Sequence, residues 1–219
     1  MALHALWQQL ESELDVLNAE VLSFVAHKPV LNDASHFSLR EECLLEGILS
    51  RVWQCWNAFC RSCVIESCMG TSDASGRSIL GISNAVSEAH VSSAAICAKK
   101  NLLPFWGQQN TIRRHEPTWG DTDVLTTILT RLTPQNSSSL LPAISSVHAR
   151  AKAVQVIRNG AAHNHAQNMA EIMLLRTSYT VFPIAHPTHA MFWVEPGSGD
   201  YLIIDAMQSM KDEALTAIS

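Results

Sequence analysis

An arginine with an asparagine beside it, a histidine five residues on and a second histidine two further stand together at Arg158, Asn159, His163 and His165. Arginine offers a planar fork of N–H donors that matches phosphate oxygens. Histidine is the side chain whose proton moves most readily near neutral pH. A guanidinium and an imidazole held this close by packed helices meet the two demands of phosphodiester cleavage: charge stabilisation and proton transfer. Basic residues gather around them. Between Ser145 and Arg176 stand Arg150, Lys152, Arg158 and Arg176 against the single acid Glu171, within a chain of net charge −5. That charge argues against broad electrostatic adhesion to nucleic acid and leaves room for a local basic site.

The elements that position these residues read as helices. Leu3, Leu6, Trp7, Leu10, Leu14, Leu17, Val21, Phe24 and Val25 recur every three or four residues, which predicts a long amphipathic helix ended by His27-Lys28-Pro29. Ser38-Leu39-Arg40-Glu41 has the form of a capping box and opens a second long helix running to about Gly70. Its stripe of Leu45, Ile48, Leu49, Val52, Trp53, Trp56, Phe59, Cys60, Cys63 and Val64 demands cover on more than one side. Cys60, Cys63 and Cys68 lack a second pair at zinc-finger spacing and read as buried thiols. Thr71 to Asn84 reads as a loop, and Ala85 to Lys100 as a shorter helix of small residues.

Asn101 to Gly120 combines Pro104, Gly107 and Pro117 with Phe105, Trp106 and Trp119. Its Arg113-Arg114-His115 makes a basic loop beside aromatics, either a surface cluster or a contact to RNA. Asp121 is placed to cap a helix through Leu132. The next helix, from near Ser138, carries Leu141, Ile144, Val147, Ala151, Val154 and Ile157 up to Arg158. Gly160 is a plausible break that would turn His163 toward the arginine, and a further helix spans about Asn164 to Ser178. Beyond it, Ala190 to Val194 and Tyr201 to Ile204 flank a turn containing Gly197 and Gly199, which predicts a β-hairpin. His186 and His189 have the spacing of a metal pair, which nothing nearby completes, and read as a loop before it; a short helix follows from Asp205.

Arg158-Asn159-Gly160-Ala161-Ala162-His163 resembles the R-(N/D/H)-x-x-x-H form of the R-x4-6-H motif of the HEPN superfamily. The run from Glu42 through Trp53, Trp56, Phe59 and Arg61 is similar to the second helix of some of its subfamilies. The resemblance implies a mainly α fold: a HEPN-like helical bundle over residues 1–178, with a small C-terminal β-hairpin appendage over residues 179–219. It implies a metal-independent, cofactor-free endoribonuclease of a bacterial defence or toxin–antitoxin system. Arg158, Asn159 and His163 would be catalytic. His165, Glu46, Arg113 and Arg114 would bind. Two motifs would meet across a homodimer, or a heterodimer with a second HEPN chain, and a neighbouring gene would supply an antitoxin or a sensor/ATPase partner. The alternative is a non-catalytic HEPN module that dimerises and scaffolds a partner protein.

At 219 residues, with hydrophobic residues at 47% and charged ones at 16%, the chain is expected to be globular with a large apolar interior. Residues Met1 to Glu20 carry four acids and no lysine or arginine, unlike a signal peptide. The absence of a long uncharged apolar run predicts no membrane span, and a cytoplasmic location follows as the expectation.

Overall fold

The computed structural model describes residues 2–28, 30–107, 115–163 and 165–219. Among them are seven α-helices: α1 (Leu3–His27), α2 (Leu39–Met69), α3 (Glu88–Ala98), α4 (Thr122–Leu132), α5 (Ser137–Ala162), α6 (Ala166–Leu174) and α7 (Leu202–Ala217). One two-stranded antiparallel sheet pairs β1 (Thr71–Ser72) with β2 (Ser78–Ile79). The chain is mainly helical, and no helix among the described residues is long and apolar enough to cross a membrane. Two compact units are resolved, residues 1–11, 56–148 and 211–219 in one, residues 12–55 and 149–210 in the other. Helices α1, α2, α5 and α7 each give residues to both.

In the first unit α3 packs on α4. Asp121 caps α4 as its sequence position predicts, its carboxylate accepting the N–H groups of Asp123 at 3.1 Å and Val124 at 3.3 Å. Trp56 is fully buried, stacks on Phe59 and donates its indole N–H to the Gly120 carbonyl at 3.1 Å. Trp119 is buried beside Gly120, so this aromatic serves the core. Cys60, Cys63 and Cys68 are buried thiols as well, and burial pushes Cys63 and Cys68 up to about 12. The expected loop after α2 holds the β1–β2 hairpin, closed by Asp73, which accepts from the backbone of Ser75 and Arg77. Gly70 and Gly81 meet backbone to backbone there, a Cβ on Gly70 falling 2.9 Å from the Gly81 nitrogen.

The second unit contains the capping box. Ser38 donates its backbone N–H to Glu41 Oε2 at 2.7 Å, and Glu41 returns its own to Ser38 Oγ at 3.4 Å. Lys28 Nζ sits 2.9 Å from Glu41 Oε1. This ammonium, with the Ser38 bonds, holds the Glu41 carboxyl at about 2, below the ordinary 4.5. A carboxylate lowered on folding stabilises the fold above its unfolded value, and the contribution disappears as pH falls toward the folded one. Glu41→Gln is therefore expected to lower the melting temperature at pH 7, and the gap from wild type should close as melts are run from pH 4.5 toward pH 2. A gap that persists at the acid end would show the carboxylate charge to be irrelevant.

The hairpin expected near the C-terminal end is not formed. Pro187–Phe192 is a short 3-10 helix, and Leu202 opens α7. Of the expected ladder only single bridges remain, Val194 with Thr180 and Val194 with Tyr201. The reason lies in burial. Ala190, Met191, Phe192 and Trp193 are all buried, whereas a half-exposed strand alternates. Leu202, Ile203, Ala206, Met207, Met210, Ala214 and Ala217 are buried at helical spacing.

Candidate functional site

Arg158 and Asn159 lie in the last turns of α5, both half-buried, with Arg158 Nη1 donating to Asn159 Oδ1 at 3.3 Å. Among the described residues no carboxylate pairs with Arg158. The helix does not break at Gly160. It continues to Ala162, and the His163 N–H still donates to the Asn159 carbonyl at 2.9 Å. His163 is therefore exposed just past the helix end, and His165 is exposed with extended backbone (φ −138°) at the start of α6. In helical geometry a five-residue separation puts Arg158 and His163 about 140° apart around the axis and about 7.5 Å apart along it. The break expected at Gly160 to turn His163 toward the arginine is therefore absent.

Gly160 has another role. It is buried, and a Cβ there would fall 2.7 Å from Ile172 Cδ1 and 3.3 Å from Pro187 Cβ. The missing side chain lets α5 approach α6 and the Pro187 turn closely. Gly160→Val is expected to cost about 1–3 kcal/mol through overpacking, read as a lower denaturant midpoint at unchanged slope. A neutral result would mean that the site yields freely. Asn168 of α6 finishes the junction, its amide nitrogen donating to the carbonyls of Asn159 at 3.4 Å and His163 at 2.5 Å. The His163 carbonyl lies past the helix end, where no helical N–H reaches it, and Asn168 supplies the donor.

Glu46, the expected acidic member, faces His186 instead of Arg158, with His186 Nε2 at 3.3 Å from Glu46 Oε1. One turn earlier Glu42 Oε1 lies 3.1 Å from Nε2 of His189, which is fully buried. Two carboxylates four residues apart on α2 thus hold two histidines three residues apart, His186 at the N-cap of the 3-10 helix and His189 within it. The imidazole centroids are 5.9 Å apart and tilted by 58°. Among the described residues no group of three or more His, Cys, Asp or Glu is arranged to hold a metal ion. Arg113 and Arg114 lie outside the described residues; of the aromatics expected beside them, Phe105 is exposed, Trp106 half-buried and Trp119 buried.

Glu42, His186, His189 and Asn168 carry this arrangement, although the sequence favours Glu46 among the α2 carboxylates and a loop for the two histidines. The only trace in the sequence is the matched spacing Glu-x-x-x-Glu and His-x-x-His, and each half looks ordinary until the fold sets one against the other. No family model, curated protein or solved structure matches the chain.

Proposed function

We propose that the chain is a HEPN-type endoribonuclease in which a ribose 2′-hydroxyl attacks the adjacent phosphate. The reading is carried by one observation: a guanidinium bonded to Asn159, with no carboxylate partner among the described residues, and an exposed imidazole five residues on, just past the same helix end. Arg158 would bind the phosphate oxygens and offset the charge that grows on them. His163 would move the proton between the 2′-hydroxyl and the departing 5′-oxygen. The nucleophile belongs to the substrate, so this chemistry requires no metal-activated water. Because five residues of helical spacing set the two about 140° apart around the axis, the site is proposed to join Arg158 and Asn159 of one protomer to His163 of another. The acidic net charge leaves part of the RNA affinity to a partner.

The test incubates purified protein with RNA in the presence of EDTA and examines the new ends. Cleavage leaving 2′,3′-cyclic phosphate is the expected result. Intact RNA across varied substrates would overturn the reading. It would then favour a HEPN module that scaffolds a partner.

A further inference from the structure

We infer that His189 is a positioning residue for the motif-bearing end of α5: a neutral imidazole, protonated on Nε2, that clamps the Pro187–Phe192 turn to Glu42 and so seats Pro187 against Gly160. The hydrogen bonds assign the tautomer. His189 Nδ1 faces two donors, the backbone N–H groups of Ala185 at 3.4 Å and His186 at 3.3 Å. It is therefore an acceptor, and the ring proton sits on Nε2, donating to Glu42 at 3.1 Å. His186 repeats the pattern more weakly, its Nδ1 accepting the Thr188 N–H at 3.4 Å while Nε2 points to Glu46.

One face of the His189 ring is sealed by Phe37, stacked at 4.2 Å, and Lys28 Nζ lies 4.4 Å from the centroid of that same phenyl ring. The charged and titratable groups around the imidazole are thus Glu42 on α2, Lys28 with its partner Glu41, and His186 with its partner Glu46. Glu42 favours the charged ring. Burial opposes it first, helped by His186 and Lys28, and holds His189 below the ordinary 6.5. A second ring proton would point from Nδ1 at two N–H groups, so protonation must open the turn. The other side of that turn is Pro187, in reach of any atom added to Gly160, two residues from Arg158. Neutral His189 thus supports the fold above the ordinary histidine value, and that support is lost as pH falls through its lowered one.

Imidazole and amide NMR of the whole chain tests this directly. The expected spectrum shows His189 as the Nε2–H tautomer, uncharged at pH 7, with the Gly160 amide shifting only as His189 gains its proton. In His189→Gln, whose amide still donates to Glu42 and does not titrate, the Gly160 amide should stay constant over that range. A charged or Nδ1–H ring at pH 7, or a Gly160 amide blind to His189 titration, overturns the inference from wild type alone. Its functional meaning rests on the ribonuclease reading. There, His189→Ala is expected to lower kcat on the order of 10²-fold through misplacement, with KM retained and His189→Gln restoring most of the loss. Equal kcat in wild type and His189→Ala would overturn the positioning role. If no form cuts RNA, the ribonuclease reading fails while the NMR still decides the clamp.

Discussion

His163→Ala is expected to reduce RNA cleavage by about 10²–10⁴-fold, the usual worth of a positioned proton-transfer group. Arg158→Ala should cost on the order of 10²–10³-fold, as for other preorganised donors that meet charge developing in a transition state. His163 is exposed, so its removal leaves packing intact and the loss should appear with an unchanged melting temperature. Arg158 is half-buried and bonded to Asn159, which makes Arg158→Lys the sharper probe. Lysine keeps the charge and loses the planar fork, so it should recover little activity. Initial rates on a fluorescent RNA, with circular dichroism of each variant, decide the matter. Activity within a few-fold of wild type in either alanine variant would remove that residue from the chemistry.

Arg158→Ala and His163→Ala proteins, each inactive alone, are expected to recover roughly a quarter of wild-type activity when mixed in equal amounts and allowed to exchange subunits as C₂ dimers. Random pairing makes half the dimers mixed, and each mixed dimer holds one of its two sites with both residues intact. The basis is the five-residue helical spacing, about 140° around the axis, on which the proposal of a site shared between two chains rests. Single-turnover cleavage before and after exchange measures the gain. Continued silence after verified exchange would place the whole site within one chain and require the end of α5 to unwind when RNA binds.

The helices were legible in the sequence where local physics acts alone. The apolar repeat of α1 and α2, the Ser38–Glu41 box and the Asp121 cap depend on neighbours three or four residues away, and each stands where the pattern puts it. Burial of Cys60, Cys63 and Cys68 was readable for the same reason, since they share the stripe of α2. The motif Arg158–His163 was visible as residue types, but its geometry was not. Glycine reads locally as a helix stop, whereas here Ile172 and Pro187 occupy the space a side chain would need, and close packing keeps α5 helical through Gly160. Ala190 to Trp193 has strand-like composition, yet all four side chains are buried and a proline opens the turn.

What the sequence by itself determined is thus the helical character of the chain, the ends of its long helices and a basic segment bearing an arginine and histidines. Only the tertiary structure decided which carboxylates those helices present to which histidines. Glu42 and His189 are separated by 147 residues, and no local periodicity connects them. They are chosen for each other because a buried imidazole needs a hydrogen-bond partner, and only the folded chain brings one within reach.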